Sequence, residues 1–142
     1  MSITSANAVL TLSQPILFPT PVQIQGFAVD DIYDMDEVKS VETLMGVDGV
    51  LSAGFVFRER VQHIMLQADS ASNDFFDTVN MQQEAALDVY QLSGQIQLPG
   101  IATKFNQIKG FLTGYKPMPD AKRTLTPRRY EITWEKVFPA PA

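Results

Sequence analysis

Residues 38–66 limit the possible folds more than any other stretch of this chain. Two runs rich in strand-forming residues flank the segment Met45-Gly46-Val47-Asp48-Gly49-Val50. Glycine adopts positive φ without steric cost, so Gly46 and Gly49 predict a reversal and the flanks predict an antiparallel hairpin. The second arm, Leu51 to Leu66, reads as one continuous strand, well beyond the usual length of about 5–6 residues. A long arm with few charges offers an edge that pairs with whatever it meets. The residues therefore predict a β-rich subunit that builds something with its neighbours, with Met45, Gly46, Val47, Asp48, Gly49 and Val50 as the expected inter-subunit contact.

The 142 residues fit one domain, 1–142, with a proline-rich N-terminal arm around residues 13–21. A hydrophobic share of 45% against 19% charged is a globular balance. The absence of cysteine excludes disulfides, thiolate nucleophiles and sulfur-ligated metal centres. Met1-Ser2-Ile3-Thr4-Ser5 has no basic stretch or apolar core, so no secretory leader is expected. No window approaches the roughly 18 apolar residues of a membrane helix, so no membrane insertion is expected either. Assembly in a cytoplasm follows as the default.

Charge is distributed unevenly. Residues 1–88 carry 3 Lys/Arg against 13 Asp/Glu (−10), and residues 89–142 carry 8 against 3 (+5). A net of −5 argues against a tight nucleic-acid binder, which needs a basic stripe able to displace counterions. Opposite ends of opposite sign suit head-to-tail meeting of copies, unless folding mixes the halves on one surface.

Along the chain, Ala8 to Leu12 predicts a short strand and Val22 to Val29 a second. Pro15, Pro19 and Pro21 between them suit an edge that cannot donate a full hydrogen-bond ladder. One helix is predicted over Ser70 to Ala85, capped by Asp69, Ser70 or Ser72, with Asp74 and Asp77 near its positive end and a break near Asn80. Phe75, Phe76, Val79 and Ala86 form its apolar stripe. Further extended pieces are expected at Asp88–Leu92 and 94–100. Phe105 to Tyr115 reads as a strand with Ile108 and Leu112 on one side and Phe105, Phe111 and Tyr115 on the other. The closing strand alternates cleanly, Tyr130, Ile132 and Trp134 facing one way. The expected fold class is α+β, mostly β: an antiparallel sandwich or barrel with one flanking helix and a long β-hairpin.

No constellation points to chemistry. His63 is the only histidine and has no triad partner in the sequence, so it reads as structural. Asp30, Asp31, Asp34, Asp36 and Glu37 resemble a calcium loop only loosely, since Val41 stands where the twelfth-position glutamate belongs. Gly46-x-x-Gly49 lacks the Lys-Ser/Thr of a phosphate loop and lies between strands. Glu131 and Glu135 share a strand face with nothing to raise one pKa. Lys122, Arg123, Arg128 and Arg129 read as a polar face beside a turn. No catalytic, cofactor-binding or metal residues are expected, and an enzyme is not.

Read whole, the chain resembles the tail tube (inner tube) proteins of long-tailed bacteriophages of the contractile type. The likeness lies in an order of pieces: Val38-x-x-Val41-Glu42-x-x-Met45-Gly46-x-Asp48-Gly49, the long arm, a short helix opening Ser70-Ala71-Ser72-Asn73-Asp74-Phe75, then Ile108-Lys109-Gly110-Phe111 and Tyr130 to Trp134. It covers roughly residues 5–138; the proline-rich stretch departs from it. The resemblance implies a structural virion protein whose hexameric rings stack into the conduit for DNA ejection. The implied partners are itself, the tail sheath, baseplate and tape-measure proteins, with DNA passing the lumen unbound. An inner tube of a type VI secretion-like apparatus, or a small ligand-binding β-barrel, are the alternatives.

Overall fold

In the computed structural model, residues 2–3, 6–28 and 32–141 are described. Val29, the expected end of the second strand, and Asp30 and Asp31 of the acidic run lie outside the described residues. The strands are β1 (Val9–Gln14), β2 (Phe18–Ile24), β3 (Tyr33–Met35), β4 (Val41–Met45), β5 (Leu51–Phe55) and β6 (Arg60–Leu66). They are followed by helix α1 (Asn73–Ala86), then β7 (Leu92–Leu98), a 3-10 turn (Pro99–Ile101), β8 (Thr103–Tyr115) and β9 (Arg128–Pro141). The fold is mostly β and antiparallel with one helix, as the alternation of the sequence predicts.

Seven strands form one sheet in the order β2-β1-β7-β8-β9-β6-β3; β4 and β5 form a separate two-stranded ribbon. After the edge strand β2 the chain crosses to the far edge, where Phe27 bridges Leu66 and the Gln67 amide donates to Gly26 O at 2.8 Å. The sheet thereby wraps around a single core of Leu10, Leu12, Ile24, Ile64, Leu66, Ile96, Tyr130, Ile132 and Trp134, onto which α1 sets Phe75, Phe76 and Val79. Phe76 stacks on Tyr130 with centroids 4.1 Å apart. Burying each such side chain contributes about 1.5–3 kcal/mol. No helix among the described residues is long and apolar enough to cross a membrane.

Several details depart from the expectations. The arm from Leu51 to Leu66 is not one strand: residues 56–59 carry no ladder, because β5 belongs to the ribbon and β6 pairs with β3 and β9. Only Gly49 of the two turn glycines has positive φ, +84°. The helix begins at Asn73 and runs unbroken past Asn80, and Ala86 is exposed. Ser72 makes no side-chain cap; its Oγ accepts from the Gln25 amide at 2.8 Å, tying the helix start to the end of β2. In β8, Lys109 adopts φ 51°. The inward set changes across it, from Gln107 to Gly110 and Leu112, so Ile108 is exposed and shares no face with Leu112. Pro19 and Pro21 lie in the edge strand β2, where a missing N–H costs no ladder bond. β3, within the acidic run, was not anticipated.

Candidate interaction surface

The β4–β5 ribbon is built by a strict register: Val41↔Phe55, Glu42↔Gly54, Thr43↔Ala53, Leu44↔Ser52 and Met45↔Leu51. Residues opposite one another share a face. One face therefore carries Val41, Phe55, Thr43, Ala53, Met45 and Leu51, and the other carries Glu42, Gly54, Leu44 and Ser52. Every residue of both strands is exposed. Phe55 is 66% exposed and Val47, at the tip, fully so. β4 packs extensively only on β5, and among the described residues both outer edges of the ribbon are unpaired.

The tip is locally ordered. The Gly46 amide donates to Val50 O (2.8 Å), the Gly49 amide to Gly46 O (3.0 Å), and the Val50 amide to Asp48 Oδ1 (3.1 Å). At the base, the Val56 amide donates to Ser40 O at 2.8 Å, and Arg58 pairs with Glu42 at 2.7 Å. All six residues singled out from sequence, Met45 to Val50, thus sit together at the end of a projecting, mostly apolar ribbon. An isolated two-stranded hairpin is marginal in water, and free edges beside exposed apolar groups are what strand-adding partners use.

The pairing of β3 with β6 joins two features that sequence kept apart. Asp34 lies opposite His63, and His63 Nδ1 is 2.7 Å from Asp34 Oδ1. Asp36 and Glu131 lie 3.9 Å away from the same ring. Donor atoms of Asp34, Asp36 and His63 fall within 4.8 Å of one another, but both carboxylates are exposed. His63 and Asp34 are in direct contact, so the three groups form a polar cluster at the surface.

Sequence reasoning missed the polar joint between helix and sheet. Arg128 is buried, not part of a basic face, and holds Asp77 with both prongs, Nη2–Oδ1 2.7 Å and Nη1–Oδ2 3.3 Å. Tyr115 Oη also donates to Asp77, and Arg128 donates to Lys116 O at 3.0 Å. Hydrogen bonding from Arg128 holds the Asp77 carboxyl below its ordinary value despite the opposing cost of burial. Burial, with Asp77 adding to it, pushes the Tyr115 phenol up. Nearby, Tyr130 Oη donates to Asn73 Oδ1 at 2.7 Å. The ion pair joins the acidic half of the chain to the basic half, and the central strands β7, β8 and β9 lie between strands of the acidic half. Folding therefore mixes much of the charge asymmetry seen in sequence.

The sequence matches the profile of the tail fiber protein gp32 family over residues 1–138. The chain belongs to that family. No curated protein matches the sequence. Among solved structures, the fold is similar to a chain of the anti-feeding prophage baseplate, 6-fold symmetrised, with TM-score 0.62, 12% identity, and 99% of this chain and 97% of that chain covered. It is also similar to a chain of a contractile injection system's sheath/tube terminator in the extended state (TM-score 0.60, 10% identity, 99% and 97% covered). A chain of the anti-feeding prophage tube-terminating cap matches with TM-score 0.58, 10% identity, and 100% and 93% covered. At such identities the likeness is one of fold. The gp32 family and this fold agree on a phage-tail-type protein, a coarser statement than the tail tube subunit the sequence suggested.

Proposed function

We propose that this gp32-family chain is a structural, non-catalytic subunit of a phage tail or related contractile apparatus, and that it assembles with copies of itself through the β4–β5 ribbon into tube-type rings. The observation that carries the reading is the ribbon: an ordered hairpin, exposed on every residue, apolar on one face and free at both edges. A monomer gains nothing from such an element, whereas a ring closes its edges by pairing between subunits. The 6-fold symmetry of the similar baseplate chain supports six as the ring number. In this reading the subunit resides in the virion tail after assembly in the host cytoplasm. It meets sheath, baseplate and tape-measure proteins, and encloses DNA without gripping it. Burial of Arg128 against Asp77 removes one basic group that could hold phosphates in a lumen.

Deleting residues 46–50 and joining β4 to β5 by a short neutral turn tests this. Circular dichroism and the melting temperature should stay near those of the parent, while rings or tubes seen by electron microscopy disappear. Normal polymerisation of the deletion variant would show the ribbon to be internal structure only. A parent that stays monomeric at all concentrations and salts would overturn the self-assembly reading.

A further inference from the structure

Helix α1 covers only part of the wrapped sheet. Elsewhere, a groove of about 330 Å³ lies open, walled by Met35, Val38, Ile96, Phe105 and Val137. Among its lining residues the one charge is Arg60. Its Nη1 donates to two carbonyls, Arg58 O at 2.6 Å and Glu135 O at 3.4 Å, and it has no carboxylate partner among the described residues. The groove is thus a mostly apolar slot whose lining carries one cation with no carboxylate partner among the described residues.

The ribbon tip has the converse chemistry. Asp48 is the one charged residue between Thr43 and Phe57. It stands among Met45, Val47 and Val50, all exposed. Only its Oδ1 is engaged, by the Val50 amide within its own turn. We propose that the tip of one copy, residues 45–50, seats in this groove of a second copy, its apolar side chains against the groove walls and Asp48 against Arg60. The idea rests on the assembly reading above and names the surface that receives the ribbon. A foreign partner would have to match the same slot and the same lone cation, whereas this chain already carries the match. The tip is held by its own three hydrogen bonds, so docking orders little that is not already ordered. A guanidinium–carboxylate pair formed away from water is among the stronger polar contacts, and it fixes register as well as affinity. Tip and groove are different patches, so the contact is head-to-tail: it makes a ring if the rotation closes and a filament if it does not.

The lack of native cysteine makes the test clean. Val47→Cys and Val38→Cys are made as separate chains with tags of different mass, mixed and mildly oxidised. A disulfide between the two different chains is the expected product, with none when Val47→Cys is mixed with a control, Lys122→Cys, on the 116–127 loop. In parallel, Asp48→Lys and Arg60→Glu should each lower the assembled fraction at least tenfold, and the double variant should recover it. Folding of each is checked by its melting temperature, and the disulfide reads out independently of any variant that folds poorly. If deletion of residues 46–50 abolishes assembly while the Val47–Val38 disulfide fails to form, the tip docks elsewhere; this inference falls and the assembly reading stands. If the deletion variant assembles normally, both fall.

Discussion

Arg128 on β9 grips Asp77 on α1 across 51 residues of sequence, Nη2 to Oδ1 at 2.7 Å. The pair is the main polar fastening between the helix and the sheet, and Tyr115 completes it. Replacing Asp77 by Asn keeps the shape and removes the charge. Hydrogen bonds to charged groups contribute about 1.5–3 kcal/mol, and that loss is expected in urea denaturation.

The same pair sets a dependence on acidity. The folded-state pKa of Asp77 lies below its ordinary value near 3.8. A depressed carboxylate contributes stability that is fully present above the unfolded pKa and is lost as pH falls through the folded one. Melting temperature should therefore decline below about pH 4, and Asp77→Asn should flatten that decline. An equal decline in both proteins would assign it to other carboxylates.

Gly110 lies directly beneath the indole of Trp134, where an added methyl would collide with the ring. Gly110→Ala should cost about 1–3 kcal/mol as an overpacked site. Combining it with Trp134→Phe should give less than the sum of the two single effects, measured as a double-mutant cycle.

Gln62 Oε1 accepts from both Trp134 Nε1 (2.9 Å) and Gln107 Nε2 (2.8 Å) in the core. Gln62 Nε2 and Gln107 Oε1 have no partner among the described residues. Gln107→Leu removes one of these unpaired atoms and leaves Trp134 bonded, so its polar cost should be within about 1 kcal/mol. Gln62→Leu strands two donors at once and should cost about 2–6 kcal/mol, at about 1–3 per buried unsatisfied group. The order of the two midpoints in urea checks the assignment.

Leu87 ends α1 at φ 52° and is exposed. A left-handed non-glycine costs about 1–2 kcal/mol, partly offset by the extra unfolded-chain freedom of glycine. Leu87→Gly should stabilise the fold by about 0.5 kcal/mol, read as a slightly higher melting temperature.

What sequence could show follows from how local each signal is. The alternation of Tyr130, Ile132 and Trp134, the helix stripe at Phe75, Phe76 and Val79, and the Gly49 turn are written within a few residues, and all three are present in the structure. The break at 56–59 was not legible, because it arises from β5 and β6 joining different sheets. Nor was the reversal of facing at Lys109, since a left-handed lysine leaves no mark in hydropathy. Arg128 read as surface because its partner is remote in sequence. At the ribbon, the exposed tip was legible from turn chemistry, while the groove depends on β3, β6, β7, β8 and β9 converging and has no local signature.

The ribbon that stands clear of the wrapped sheet divides the chain into two mutational ledgers. Positions such as Leu12, Ile132 and Trp134 answer to folding, since they lie in the core. Positions such as Val41, Val47 and Phe55 are exposed on the ribbon, outside the core, and can drift with little effect on the body beneath them. Specificity for neighbours could then be retuned in one set without re-solving the other. In a library of variants the two sets should separate on their own, one failing in heat and the other surviving heat but failing to join.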